Sequence, residues 1–79
     1  MSRPRREVCP LVGPRLAQIR KARGMTQRQL ASECGLTETM ISLYENGRAT
    51  PSIVRLRCFA RVLGVDVAEL LRAVTAPVR

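Results

Sequence analysis

The chain contains no histidine, a lone aspartate at Asp66 and only scattered glutamates. Without an imidazole or a pair of carboxylates at a useful spacing, it offers no acid–base couple and no nucleophile–base triad, and no glycine-rich loop is present to cradle a phosphate; an enzyme is not expected. Cysteine is sparse: Cys9, Cys34 and Cys58 are an odd set, widely spaced, with no C-x-x-C pair. That pattern disfavours both a disulfide framework and a zinc site, so neither metal nor cofactor is expected. Cys34 and Cys58 read as small hydrophobes of a reducing compartment, and Cys9 as a tail thiol open to oxidation. Long apolar runs are missing too. Val62–Leu63 and Leu70–Leu71 fall far below the roughly 20 residues of a membrane span, and the N-terminal "MSRPRREVCPLVG" lacks the apolar stretch of a secretory signal. These absences predict a cytoplasmic chain with no membrane partner.

What is abundant is positive charge. Lys plus Arg number 14 against 6 Asp plus Glu, a formal charge of +8 with a pI near 11.3. Such an excess attracts polyanions, either nucleic acid or an anionic membrane surface. At 79 residues the chain suits one domain with a small core built from a few tightly packed helices, with no room for a separate effector domain and no small-molecule effector expected.

Residues 1–10 hold Arg3, Arg5 and Arg6 with two prolines and no periodicity, and read as a flexible basic arm. Pro14 lies in the first turn of a helix predicted over 13–23, with Leu16, Ile19 and Arg23 on one side and Gly24 as its stop. "TQRQ" is a capping box from Thr26 to Gln29, so a second helix starts at Gln27 and runs to Cys34, burying Leu30, Ala31 and Cys34. Gly35 ends it with a positive φ. Thr37 caps a third helix over 38–46, stopped by Gly47. Thr50-Pro51 is expected to cap and open a fourth helix, whose Leu56, Phe59, Ala60 and Leu63 follow the i, i+3, i+4, i+7 pattern up to Gly64. Asp66 caps a short fifth helix from Val67 to about Val74, ending before Pro77. No stretch alternates like a half-buried strand. The domain is set at 11–76, with 77–79 a C-terminal tail.

On a helical wheel the third helix divides cleanly. Ile41 and Tyr44 share one side with Met40 at its margin; Glu38, Thr39, Ser42, Leu43 and Asn46 gather opposite. A short helix with a small, mostly polar outer face fits the major groove of B-DNA, where side chains near its N-terminus reach base edges. The Gly35 turn lets the second helix brace the third and set its own N-terminus against a phosphate.

"QRQLASECGLTETMISLYENG" resembles the helix-turn-helix of the lambda Cro and repressor type, the XRE family. The match includes Gln27, Ala31, Gly35, Leu36, Ile41 and the Glu45-Asn46-Gly47 ending, and it extends through the flanks to about residues 12–72, with the helix-turn-helix itself at 27–46. The resemblance implies an all-α, compact five-helix, lambda-repressor-like domain that binds a palindromic operator in double-stranded DNA as a homodimer. It implies phosphate contacts from Gln27, Asn46 and Arg48 and base reading by Glu38, Thr39, Ser42 and Leu43. Arg20 and Glu45 stand where relatives often join the first helix to the third by an ion pair, a supporting contact. Glu38 and Leu43 depart from the basic or amide residues common at their positions. A carboxylate repels phosphate but accepts from cytosine N4, and a leucine can touch a thymine methyl.

Several alternatives stay open at this point. Arg55, Arg57 and Arg61 read as a solvated face of the fourth helix. The arm either enters a neighbouring minor groove or only raises nonspecific affinity. Leu70 completes the core, while Leu71 and Val74 form a dimer interface or close the monomer core instead. The biological settings the resemblance suggests are a phage-type repressor or a restriction-modification controller, autoregulation being expected of both, with the alternative of an antitoxin that mainly binds a protein and regulates its own DNA secondarily. A nonspecific basic DNA binder is a further rival.

Overall fold

In the computed structural model the structure describes residues 12–72, and these form α1 (Val12–Ala22), α2 (Gln27–Cys34), α3 (Glu38–Glu45), α4 (Ile53–Leu63) and α5 (Val67–Leu70), with no strand among the described residues. The basic arm, Cys9, Val74 and the tail at 77–79 lie outside them. Every helix sends at least one side chain into a common core: Leu16 from α1, Leu30 from α2, Ile41 from α3, Phe59 and Leu63 from α4, and Leu70 from α5 are all essentially inaccessible. Because no helix here is long enough to be stable alone in water, this shared burial is what holds each of them. The Tyr44 and Phe59 rings meet edge to face at a centroid distance of 6.0 Å, joining α3 to α4.

Local sequence signals account for most boundaries. The Thr26 hydroxyl accepts the Gln29 amide at 3.0 Å, and the Gln29 side chain accepts the Thr26 amide at 2.8 Å, which completes the expected capping box. Thr37 caps α3 by accepting from the Met40 amide at 3.1 Å.

Four boundaries differ from expectation. The cap of α4 is Ser52, whose hydroxyl accepts the Arg55 amide at 3.2 Å. Thr50 is left outside the helix and Pro51 is buried before the cap, because the hydroxyl that reaches a helix amide decides the start. Helix α1 ends at Ala22, and Arg23 is exposed beyond it rather than facing inward. Asn46 is the C-cap of α3, not its last residue. Helix α5 stops at Leu70, and although Asp66 is its N-cap residue the side chain makes no capping bond. A two-pronged contact holds α5 to α1: Arg15 Nε donates to the Glu69 carbonyl and Nη2 to the Glu69 carboxylate, each at 2.8 Å. The bonds from Arg15 and then Arg72 hold the Glu69 carboxyl below the usual carboxylate range.

Helices α1 and α3 approach closely at Gly13. A Cβ there would fall within 2.8 Å of the Glu45 carbonyl oxygen and nearer still to that of Tyr44. These are backbone atoms and cannot swing aside. Gly13→Ala is therefore expected to lower stability by about 1–3 kcal/mol in urea denaturation with an unchanged slope; an unaltered midpoint would contradict this packing.

Candidate nucleic-acid interface

Gly35 adopts φ 68° and ψ 31°, a left-handed conformation that a side chain would strain. Its amide and that of Leu36 close α2, the latter bonding Ala31 O at 2.8 Å. The chain then turns and α3 begins three residues after Gly35, so a three-residue turn with one positive-φ position separates the brace from the helix it supports.

The inner side of α3 is fixed by packing and by charge. Ile41 and Tyr44 are buried and Met40 is half-buried, as the wheel predicts. Glu45 is also buried, where it meets Arg20 from α1: Arg20 Nε donates to Glu45 Oε2 at 2.6 Å and Nη2 donates to Oε1 at 3.1 Å. Only 8% of the Arg20 side chain and 5% of the Glu45 side chain remain exposed. Two further bonds satisfy the pair. Arg20 Nη1 donates to the Met25 carbonyl at 2.7 Å, and Gln27 Nε2 donates to Glu45 Oε1 at 2.9 Å. The predicted ion pair thus becomes a network that ties α1, the loop before α2, the first residue of α2 and the last residue of α3 together. A buried pair with its hydrogen bonds satisfied is tolerable, whereas one partner left alone is not.

The outer side of α3 is open. Glu38, Thr39 and Asn46 are exposed, Leu43 is 38% exposed and Ser42 is half-buried. These residues lie together on one face, as expected, with Glu38 and Thr39 in the first turn. Asn46 Nδ2 donates to the Ser42 hydroxyl at 3.3 Å, which joins a residue expected to read bases to one expected to hold phosphate. Leu43 shares a shallow apolar depression with Met40, Tyr44 and Ala49. Arg48 stands exposed just beyond the helix, its amide bonded to Leu43 O at 2.9 Å. Gln27 is half-buried and its amide is engaged with Glu45, so the structure assigns it a bracing contact beside the phosphate role expected from sequence.

One support was not visible in sequence. Arg55 Nη1 donates to the Tyr44 hydroxyl at 2.6 Å, so an arginine read there as part of a solvated face instead pins the inner side of α3 to α4. The first turn of α4 also exposes Ile53 and Val54, and Leu71 is 43% exposed at the end of α5. No cluster of metal-binding side chains occurs among the described residues, and none of their helices is long and apolar enough to cross a membrane.

Comparison with known proteins finds a helix-turn-helix family model matching residues 16–70. An uncharacterized HTH-type transcriptional regulator of Sinorhizobium fredii is 34% identical over 61 residues, which is 77% of this chain and 79% of that protein. The restriction-modification controller protein C.AhdI from Aeromonas hydrophila superposes with a TM-score of 0.72 at 32% identity, covering 75% of this chain and 86% of the other. SinR, a master regulator for biofilm formation solved in complex with DNA, superposes with a TM-score of 0.72 at 35% identity, covering 77% of this chain and 98% of the other. Other matching regulators are longer, and the chain spans 28 to 61% of them.

Arg20→Ala would leave the buried Glu45 carboxylate facing Gln27 alone. Stability is expected to fall by about 3 kcal/mol or more, a drop in Tm above roughly 10 °C for a domain of this size. Arg20→Lys should be intermediate, because an ammonium keeps the charge but cannot make the paired Nε and Nη2 bonds. Thermal denaturation followed by circular dichroism measures both, and an unchanged Tm for Arg20→Ala would show that the pair does not support the fold.

Proposed function

The chain belongs to the XRE-type helix-turn-helix family of DNA-binding transcription regulators, and from that premise we propose that it acts as a homodimer on a palindromic operator, one α3 in the major groove of each half-site. The observation that carries the reading is the two-sidedness of α3: its inner face is locked by Ile41, Tyr44 and the Arg20–Glu45 pair, while Glu38, Thr39, Ser42 and Leu43 are left on its outer face. Half-site centres would lie about 34–36 Å apart, one helical turn of DNA.

In this reading Thr39 and Ser42 offer hydroxyls to base edges. Glu38 accepts from a cytosine N4, the acceptor role left to it where its charge opposes phosphate, and Leu43 with its apolar depression receives a thymine methyl. Arg48, Asn46 and Gln27 hold backbone phosphates around the helix and set its register. Leu71 and Val74 contribute to the dimer surface. The +8 charge supplies long-range attraction and salt dependence, while selectivity comes from α3. Likeness to a restriction-modification controller protein over 86% of that protein's length supports a regulator of that kind, and action on its own promoter is part of the same proposal.

Footprinting on DNA upstream of the chain's own gene, at physiological salt with competitor DNA, is expected to give one protected, roughly symmetric site. Uniform protection of every fragment would leave only a nonspecific basic binder. Thr39→Ala should lose about 1–3 kcal/mol at one base position per half-site, whereas Arg48→Ala should weaken all operators alike and lower the salt slope by about 1 per protomer. Equal weakening of every operator variant by Thr39→Ala would make Thr39 a positioning contact instead.

A further inference from the structure

Helix α4 turns both apolar and basic side chains to solvent where α2 ends beside it. Val54, Arg57, Cys58 and Arg61 fall at i, i+3, i+4 and i+7 and share one side of the helix, opposite the buried Leu56, Phe59, Ala60 and Leu63. Val54 is 71% exposed, more than any other large apolar side chain among the described residues, and Ile53 next to it is exposed too. Between this stripe and the end of α2 lies an open cleft of about 610 Å³, lined on its apolar part by Cys34, Leu36, Val54 and Cys58 and edged by Arg57 and Arg61. A lone apolar side chain on a surface is ordinary, but this one stands against half-buried apolar neighbours and between arginines.

The arginines of the cleft have little internal use. Helix α4 carries three arginines and no acidic residue, and Arg55 is taken up by the Tyr44 hydroxyl. Among the described residues Arg57 and Arg61 make no ion pair, and Arg61 Nη2 reaches only the Cys58 sulfur, at 3.6 Å. Asp66 and Glu69 border Arg61 across a second cleft without pairing with it, Glu69 being held by Arg15 and Arg72. No residue of α3 lines the cleft between α2 and α4, so the cleft and the reading edge are separate surfaces.

We infer that this cleft is a docking site for an acidic segment of a partner protein, which seats an apolar side chain on Leu36 and Val54 and sets carboxylates against Arg57 and Arg61. The two arginines stand one helical turn apart, about 6 Å, a spacing matched by carboxylates at i and i+4 of an amphipathic helix laid in the groove. Charge selects this occupant. A second copy of the chain, at +8, would bring like charge to the arginines. A DNA phosphate would satisfy the arginines but gain nothing from Val54 and Leu36. An acidic segment with an apolar anchor uses both: burial of the anchor supplies affinity, and the opposed charges supply selectivity and a fast encounter. Glu33, exposed beside Cys34 on the α2 side, repels a carboxylate there and directs the acidic side of the segment to α4. The inference is independent of the DNA-binding reading, which uses none of these residues.

The test begins with selection of a random peptide library, displayed on phage, against the full chain at physiological salt. Enrichment of peptides that combine Asp or Glu with large apolar residues is expected, and the most enriched sequence is then made as a synthetic peptide. Val54→Ser, which removes only the apolar contact, and Arg57→Gln, which removes only the charge, should each weaken its binding about tenfold. Both side chains are exposed, so Tm should stay unchanged. Lys21→Gln removes a charge from an exposed residue of α1 that does not line the cleft, and should leave the peptide bound as before. Amide shifts induced by the peptide in the unaltered chain should fall on Leu36, Val54, Arg57 and Cys58. No enrichment of acidic sequences, shifts centred elsewhere, or equal weakening by Lys21→Gln would overturn the proposal, the last by showing attraction to net charge alone. If Arg57→Gln weakens binding of a random-sequence duplex and leaves the peptide bound as before, the arginines serve DNA and the proposal fails. Failure of the chain to bind any operator would refute the functional reading and leave the peptide result standing.

Discussion

The orientation of α3 depends on the bidentate contact between Arg20 and Glu45. The core residues Ile41 and Tyr44 decide which side of α3 faces inward, but apolar packing is non-directional and leaves a short helix free to rock and slide. A guanidinium held to a carboxylate by paired bonds of 2.6 and 3.1 Å has a defined direction. Its remaining bonds go to the Met25 carbonyl and, from the carboxylate, to Gln27, so the same contact sets where α2 begins relative to where α3 ends. Gly13 is required alongside it, since α1 must lie almost against the last carbonyls of α3 for Arg20 to reach. A helix held this firmly from within can leave its opposite face open without losing its place, which is the condition for reading a rigid surface such as a duplex.

The division of labour among the charges follows from that arrangement. Arg20 and Arg15 are committed to internal partners, Glu45 and Glu69 respectively, and Arg55 to the Tyr44 hydroxyl. The net charge of the chain therefore overstates how many arginines stand ready for phosphate. Arg48, placed just past α3 on the exposed side, stands where charge and reading face coincide. Glu38 in the first turn has a structural use as well, since an acidic side chain at a helix N-terminus is favourable to the helix dipole. That contribution helps explain why a carboxylate can be kept on a face proposed to meet a polyanion.

Much of this was legible in the sequence where the determining interactions are local. The capping box at Thr26 and Gln29, the Thr37 cap and the Gly35 turn are each set by residues within four positions of one another, and the structure reproduces them. The wheel sorted α3 correctly because burial follows its 3.6-residue repeat. At α4 two hydroxyls, Thr50 and Ser52, competed for one cap, and the choice went to Ser52 with Pro51 buried behind it, a tertiary circumstance no local spacing encodes. Long-range pairings were hidden for the same reason. Arg55 with Tyr44 and Arg15 with Glu69 each depend on the register of one helix against another, and an arginine's residue type alone reads as a solvated side chain. The Arg20–Glu45 pair was legible only through the resemblance to a family in which those positions meet.

In the proposed reading, the outer face of α3, held from within, is the surface that meets DNA. Amide chemical-shift mapping of isotope-labelled protein, titrated with the duplex recovered by footprinting, tests it most directly. The largest changes are expected on Glu38, Thr39, Ser42, Leu43 and Arg48, with smaller ones at Gln27 and Asn46, while the core-facing Ile41 and Leu56 move little. Changes centred on the exposed arginines of α4, with α3 undisturbed, would contradict it.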